Sequence, residues 1–350
     1  MREMPRKKVA VAMSGGVDSS LAAALLKDAG YEVFGIHLKL WADPGYQDNM
    51  ANLEQVCRSL NIPLHELNLE SEFHNLVISY FCREYSRGRT PNPCPVCNKH
   101  IKFGRLLNRA REMGADYLAS GHYAMVEASL EGYRLLKAAE AAKDQSYFLY
   151  TLGQSELKYL ILPLSSRKKT EVKKLAEERG LSTASQRESH DICFIPNNDY
   201  RAFLARHLPA EPGDITDISG KILGKHNGLA HYTVGQRQGL GLSSTERRHV
   251  LRLDTSGNRL VVGSKNQLLS RRLIARELSW VAGRPPADLN QITARIRYRS
   301  PETTIALSLN KETAEVEFHE PQWAVAPGQA IVFYQGDTVL GGGIIEESLE

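Results

Sequence analysis

Lys8-Val9-Ala10-Val11-Ala12-Met13-Ser14-Gly15-Gly16-Val17-Asp18-Ser19-Ser20 is the stretch whose reading decides the fold. Its first six residues form the short apolar run of a buried strand. From Ser19 to Ala29 the spacing is helical, with Gly30 as the stop. A glycine turn between strand and helix aims backbone N–H groups and the helix N-terminus at one spot, which suits a phosphate. Gly15 and Gly16 permit a tight turn and close approach, and Ser14, Ser19 and Ser20 offer hydroxyl donors. Neither GxxxxGKS/T nor GxGxxG is present, which counts against P-loop γ-phosphoryl transfer and against a dinucleotide. Asp18 would repel phosphates unless a Mg²⁺ stood between them. A bare Gly-Gly with a capping Ser or Asp can be a plain structural turn; the full string after an apolar strand favours a nucleotide.

Outward from this turn, strand and helix patterns alternate: a strand at Tyr31–Leu38, a helix at Asn52–Leu60, a strand at Leu64–Leu69, helices at Glu72–Arg87 and Asn98–Met113, a strand at Asp116–Ser120 and a helix at Lys169–Arg179. That alternation predicts an α/β domain around a parallel sheet. After about residue 205 glycines cluster and long helices vanish. Short strands are expected at Ile292–Tyr298, Thr304–Leu309, Ala314–Phe318 and Ala330–Tyr334, as in a small barrel or sandwich. We therefore expect a catalytic domain over 1–205, a small central domain over 206–272 and a β-domain over 273–350.

With 42% hydrophobic and 24% charged residues the composition is that of a folded, soluble chain. No run of about 18 apolar residues suggests a membrane span, and the basic N-terminus lacks a cleavage site, so a cytoplasmic protein is expected. The net charge of +4 is unevenly spread. Ser270–Ser300 holds seven arginines against Glu277 and Asp288, and Lys158–Lys174 holds six Lys/Arg against Glu171. Such clusters suit a polyanionic partner, although two solvated faces would look the same.

Five cysteines, an odd number, argue against a disulfide framework. Cys57 and Cys82 lie on helix faces and read as packing residues. Thr90-Pro91-Asn92-Pro93-Cys94-Pro95-Val96-Cys97 places two thiols at the start of a helix, where the N-terminus is expected to lower a thiol pKa. Cys193 stands far off in Ser189-His190-Asp191-Ile192-Cys193. Cys94, Cys97 and Cys193 could hold a metal or an iron–sulfur cluster, with His100 or His190 as a further ligand. Cys97 and Cys193 could instead form a nucleophile–persulfide pair, or all three could be structural.

SGGVDSS resembles the signature of the N-type ATP pyrophosphatases (adenine nucleotide alpha-hydrolase-like), which adenylate a carbonyl oxygen and release pyrophosphate. Together with TPNPCPVCNKHIKF, ASGHYA, KDQSYFLY, SHDICFIP, GLAHYTVGQRQGL and PGQAIVFY, in order from about residue 7 to 343, it resembles the tRNA-specific 2-thiouridylase family (MnmA). The resemblance implies an ATP pyrophosphatase domain, a small middle domain and a C-terminal β-barrel. The implied reaction replaces the C2 oxygen of the wobble uridine (U34) with sulfur in tRNAs for Lys, Glu and Gln, using ATP and Mg²⁺. It carries an ATP site onto Ala12, Met13, Ser14, Gly15, Gly16, Val17, Asp18, Ser19, Leu38 and Gly121. Contacts to the tRNA and its target base fall on Asn92, Pro93, Cys94, His122, Lys143, Asp144, Gln145, Arg297, Tyr298 and Gln329. Cys97, Cys193 and Asp18 become the catalytic residues, with a persulfide on Cys193 and a transient Cys97–Cys193 disulfide.

The sequence departs from part of the family in having Cys94 where an aspartate can stand. With Cys97 and Cys193 that would suffice to ligate three irons of a [4Fe–4S] cluster. The expected partners are the anticodon stem-loop of tRNA and a sulfur-relay protein or cysteine desulfurase, with no membrane and a monomeric enzyme. The rival readings are a ligase of the argininosuccinate or GMP synthetase type, which needs no such thiols, and a non-catalytic RNA-binding module.

Overall fold

In the computed structural model, which describes residues 6–41, 46–183, 192–242 and 247–349, the opening stretch forms the centre of the first sheet. The strands run β1 (Lys8–Ala12), β2 (Glu32–Lys39), β3 (Leu64–Asn68), β4 (Tyr117–Ala119), the hairpin pair β5 (Met125–Ser129) and β6 (Gly132–Leu136), and β7 (Leu160–Ile161). The five-stranded sheet has the order β3-β2-β1-β4-β7, every pairing parallel. Burial explains why β1 is nearly all Val and Ala: Val9, Ala10 and Val11 are fully enclosed, with layers on both faces. The chain moves outward from β1 in one direction through β2 and β3, and in the other through β4. The ends of β1 and β4 therefore open a crevice at the switch point, the place where ligands bind in such sheets.

Helices α1 (Val17–Asp28) and α2 (Tyr46–Ser59) follow the first two strands. After β3, α3 (Glu70–Phe73) runs through a wider π turn at His74–Ile78 into α4 (Ser79–Ser86). Next, α5 (Pro93–Cys97) leads through a second π segment, Asn98–Leu106, into α6 (Leu107–Glu112), and α7 (Gln154–Leu157) and α8 (Lys169–Glu178) follow. The alternation expected from sequence is present, but α2 starts at Tyr46 rather than Asn52, because the polar turn Tyr46–Asn49 has no apolar periodicity to betray it. No described helix is long and apolar enough to cross a membrane.

A small four-stranded sheet follows: β8 (Gly213–Thr216), β9 (Ile222–His226), β10 (His249–Asp254) and β11 (Arg259–Gly263), in the order β10-β11-β8-β9 around Ile215, Val250, Leu260 and Val262. The last strands are β12 (Leu269–Trp280), β13 (Thr293–Arg295), β14 (Thr303–Leu309), β15 (Ala314–Trp323), β16 (Ala330–Gln335) and β17 (Thr338–Leu349). They join in the order β12-β15-β14-β13-β16-β17, and pairing of β12 with β17 closes a six-stranded barrel. Closure removes the free edges that an open sheet would expose. The strand expected over Ile292–Tyr298 shrinks to Thr293–Arg295, since Arg297 and Ser300 close a turn on each other.

One element was not legible. The hairpin β5–β6 leaves the catalytic domain and pairs through Leu135 and Leu136 with β17, continuing the barrel's sheet. One core runs across the junction, in which Phe34, Leu106, Leu118, Tyr147 and Tyr150 pack with Val332, Tyr334, Val339 and Ile344. The Tyr147 hydroxyl donates to the Ala330 carbonyl at 2.8 Å.

Beside it lies a buried charge network. Arg295 contacts Asp144 at 3.1 Å and Glu302 at 2.8 Å, and Lys137 contacts Glu302 at 2.8 Å. Asp144 is fully enclosed and also accepts from the Ala138 and Ser146 amides and the Ser146 hydroxyl. Removing one member of such a group strands the other charge, so Asp144→Ala should destabilise the protein by about 3–5 kcal/mol. Thermal melting checks it; an unchanged melting temperature would contradict the network's structural weight.

Candidate functional site

The turn after β1 is held by its own serines. Ser19 and Ser20 donate their hydroxyls to the Gly16 carbonyl at 3.0 and 3.1 Å, and the Ser14 amide donates to Ser19 Oγ at 3.2 Å. These two hydroxyls brace the loop through its own carbonyl, which amends the expectation of free donors. Gly15 is at φ +85°, and a Cβ there would lie 2.0 Å from Asn49 Oδ1 of α2. Only glycine fits that approach. Leu38, at the end of β2, is half-buried against the same layer as Phe34 and Ile36.

Asp18 is engaged from two directions. Tyr123 donates its hydroxyl to Oδ1 at 2.8 Å, and Lys169 Nζ reaches both oxygens at 2.7 Å. Sequence reading missed Lys169, because nothing links it to Asp18 across about 150 residues except a basic segment. Gly121 is as constrained as Gly15: a Cβ on it would sit 2.8 Å from the Asp18 carbonyl carbon and 2.9 Å from the Ser19 nitrogen. The segment Ser120–Tyr123 after β4 therefore lies directly on the loop after β1.

The same segment touches the thiols' surroundings. His122 is packed against Phe103, ring centroids 5.5 Å apart, and its Nδ1 is 2.8 Å from Ser120 Oγ. Burial first, and the Lys102 charge second, hold His122 well below its usual pKa, so the ring is neutral near pH 7. Asn92 caps α5 by accepting from the Cys94 amide at 3.1 Å, and Pro93 fills the first turn, as that pattern requires. The barrel grips the loop's entry. Gln329 Nε2 donates to the Thr90 carbonyl at 2.7 Å, the Thr90 amide donates to the Pro327 carbonyl at 2.8 Å, and Gly328, at φ +91°, leaves no room for a Cβ beside Thr90. Gln329 thus holds the cysteine loop itself.

Cys97 is buried, Cys94 half-buried and Cys193 exposed, and all three thiols are free. Phe194 and Ile195 pack with Cys97, Ile101, Phe73 and Phe81, which brings the Cys193 segment to the cysteine loop. Burial pushes Cys97 up to about 12 and Cys94 up to about 11; Cys193 keeps a solvent-exposed surface, but the packed protein around its thiol desolvates it and raises it as well. This reverses the lowering expected from the helix start: desolvation of the thiolate outweighs the helix N-terminus. Lys102 opposes the rise at all three thiols, which identifies a cation that sequence reading overlooked. Lys102 is half-buried on the π segment after Cys97.

A thiol raised above 9 is below about 1% thiolate at pH 7 and gains tenfold with each pH unit. Alkylation of Cys193 by iodoacetamide should therefore rise without a plateau from pH 7 to 9. Lys102→Ala should slow it at every pH, because the cation that favours the thiolate is gone. Peptide mass spectrometry checks both; a plateau below pH 8 would contradict the raised pKa.

Among the described residues no three Cys, His, Asp or Glu side chains converge to hold a metal, and His100 faces solvent. His190 lies outside the described residues.

Of the segment Lys143–Gln145, Asp144 is consumed by the buried network. Gln145 accepts from the Tyr123 amide at 3.0 Å and donates its own amide to the Tyr123 carbonyl at 2.7 Å. Tyr298 packs on Phe148 with centroids 4.4 Å apart, at the edge of a cavity of about 210 Å³ that Ala141, Ala142, Arg295 and Arg299 also line. Arg297 turns inward, donating to the Trp323 carbonyl at 2.9 Å over that indole ring.

Three family models cover the chain in turn. A tRNA methyl transferase HUP domain matches residues 7–197, a tRNA methyl transferase PRC-barrel domain 201–264 and an aminomethyltransferase beta-barrel domain 270–345. The chain is 46% identical to the tRNA-specific 2-thiouridylase MnmA of Geotalea uraniireducens, covering 98% of this chain and 96% of that protein. It is 43% identical to the tRNA-specific 2-thiouridylase MnmA of Geobacillus thermodenitrificans, covering 99% and 97%. Among solved structures it is similar to the U34-tRNA thiolase NcsA from Methanococcus maripaludis with its [4Fe-4S] cluster, at 21% identity and a TM-score of 0.38, covering 58% of this chain and 66% of that one. That likeness is too slight to build on.

Proposed function

The chain belongs to the tRNA-specific 2-thiouridylase family, and from that premise we propose how its own residues divide the work. It is an ATP-dependent sulfurtransferase that acts on the wobble uridine of tRNA. Its full-length relatives give no support to an argininosuccinate or GMP synthetase activity. The observation that carries the division is the segment Ser120–Tyr123: Gly121 and Tyr123 lie on Asp18, while His122 faces Phe103 and Lys102 beside the thiols.

A uridine C2 oxygen is a poor leaving group. In the reading proposed here it attacks the α-phosphorus of ATP in the loop Ala12–Ser19, and the electron pair of the broken bond leaves with pyrophosphate. Asp18 is the carboxylate that would hold Mg²⁺, which supplies charge neutralisation on the phosphates. A persulfide on Cys193, loaded by a sulfur-relay protein or cysteine desulfurase, then attacks C2 with its outer sulfur and AMP departs. Cys97 attacks the Cys193 sulfur, a Cys97–Cys193 disulfide forms, the electron pair stays on the C2 sulfur, and a two-electron reductant restores both thiols.

His122, neutral and next to Ser120, can hydrogen-bond the extruded base, and Asn92, Pro93 and Cys94 are read as further contacts to it. Lys143, Gln145, Tyr298 and the arginines of the barrel would take the anticodon stem-loop, with salt-sensitive affinity. The relay needs only Cys97 and Cys193, and the packing of Phe194 and Ile195 with Cys97 supports bringing these two together. The test is to incubate the protein with MgATP, a persulfide donor and unmodified tRNA, and to measure 2-thiouridine by mass spectrometry. Formation of 2-thiouridine is expected; its absence, with ATP bound and tRNA bound, would overturn the assignment.

A further inference from the structure

We propose that Arg89 is a positioning residue for sulfur transfer. Its guanidinium locks the entry of the cysteine loop between α4 and the barrel, and so sets where Cys94 and Cys97 stand relative to Cys193. The inference rests on the two-thiol reading above and adds to it the residue that aligns the pair.

All three domains meet at the turn Gly88–Thr90, between α4 and α5. Gly88, at φ +70°, lies against the small central sheet, where a Cβ would stand 2.9 Å from Thr255 Cγ2 and 3.2 Å from Leu253 Cβ. Thr90 is held by Pro327 and Gln329 of the barrel. Arg89 spans the gap between them. Its Nε lies 3.1 Å from Glu84 Oε2 of α4, an ion contact with a buried carboxylate. One terminal nitrogen donates to Glu346 Oε2 at 3.2 Å and the other to the Ile345 carbonyl at 3.0 Å, both on β17. The arginine side chain is only 20% exposed. A planar fork can meet three oxygens in fixed directions, which a lysine ammonium cannot.

A displacement at this turn is transmitted, not absorbed. Pro91 and Pro93 each fix a φ angle between Thr90 and Cys94, and Asn92 ties itself to the Cys94 amide at 3.1 Å. Helix α5 therefore follows the turn as a stiff lever. At its far end Cys97 packs with Phe81 and Tyr85 of α4 and with Phe194, next to Cys193. Glu84 and Cys97 thus engage the same helix, one through charge and one through packing. Cohesion alone would not call for a charged fork here, because an apolar contact would hold α4 on the barrel as well. A guanidinium aimed at three oxygens fixes register instead. Register matters to the thiols, since a misplacement of about 1 Å at a reacting centre can cost about a hundredfold in rate.

The experiment compares wild type, Arg89→Met and Arg89→Lys over one turnover with saturating tRNA, MgATP and a persulfide donor. Pyrophosphate release and 2-thiouridine formation are measured side by side. A third measurement needs neither tRNA nor ATP: the fraction of Cys97–Cys193 disulfide in glutathione buffers, read by peptide mass spectrometry. For Arg89→Met, pyrophosphate release should stay within about twofold of wild type, 2-thiouridine formation should slow about tenfold to a hundredfold, and the disulfide equilibrium constant should fall by a similar factor. Arg89→Lys, which keeps the charge but not the fork, should recover only a small part of either loss. Equal slowing of both steps, an unchanged disulfide equilibrium, or full recovery with lysine overturns the inference. A wild type that forms no 2-thiouridine, while its disulfide equilibrium still responds to Arg89→Met, would overturn the functional reading and leave the positioning of the thiols standing. Should Arg89→Met not fold, Glu346→Gln decides, because it removes one arm of the clamp on the barrel side. Formation of 2-thiouridine slowed at least about threefold, with pyrophosphate release unchanged, supports the proposal, and no difference from wild type refutes it.

Discussion

A Cys193→Ser enzyme should release pyrophosphate from ATP in the presence of tRNA, on the order of one per tRNA bound, yet form 2-thiouridine at least about a thousandfold less than wild type. The reason is spatial. Asp18 and the phosphate turn lie on one side of Ser120–Tyr123 and the thiols on the other, and Cys193 touches none of the loop's hydrogen bonds. Removing its sulfur should leave activation intact and end sulfur delivery. Cys97→Ser should fail differently. If the outer persulfide sulfur attacks C2 directly, the tRNA stays joined to Cys193 through a disulfide that Cys97 can no longer resolve. A gel should then show a protein–tRNA adduct that dithiothreitol releases. If hydrosulfide is released first, no adduct forms and the persulfide simply persists. Normal 2-thiouridine yield from either variant would sink the two-cysteine scheme.

The second large effect is expected at Gly121. A single added carbon there would meet the Asp18 backbone and Cβ at 2.8 Å, well inside van der Waals contact, and the loop after β1 is braced on its other side by Asn49 against Gly15. Retreat of the turn would have to displace the Asn49 side chain. Gly121→Val should therefore cost about 1–3 kcal/mol of stability through overpacking and weaken MgATP binding by at least about a hundredfold, since the phosphate cradle is displaced by the collision. Calorimetry and thermal melting read the two parts separately. Wild-type ATP affinity in Gly121→Val would show that this contact does not shape the cradle.

The parallel sheet was legible because β1 and its turn carry so much information: an apolar run enclosed on both faces, then two glycines, the first at a positive φ that favours glycine. The barrel strands showed themselves through alternation, as at Thr303–Leu309, where exposed and buried residues take turns. The hairpin β5–β6 did not, because its outward residues, Glu127 to Glu131, read as a polar loop and its pairing with β17 spans about 200 residues. The site divides in the same way. Residues that act through backbone geometry, Gly15, Gly16 and Gly121, could be named from motifs. Lys169 and Lys102 could not, since a lysine gains its meaning only from the carboxylate or thiols that the fold sets beside it. The thiols' acidity was misjudged for the same reason: the helix start is visible in sequence, whereas the enclosure that overrides it is not.

The hairpin's attachment to β17 has a consequence for how the molecule can be taken apart. The two strands belong by chain order to the catalytic domain and by hydrogen bonding to the barrel. A truncated protein ending near residue 268 would lay bare the edge of β6 and the apolar residues that Val332, Tyr334 and Ile344 now cover. It would aggregate before it could be assayed. The barrel is therefore no detachable RNA handle to be grafted or deleted at will. It is a wall of the same building, and a substrate leaning on it stands at a distance from the phosphate turn that the architecture has already set.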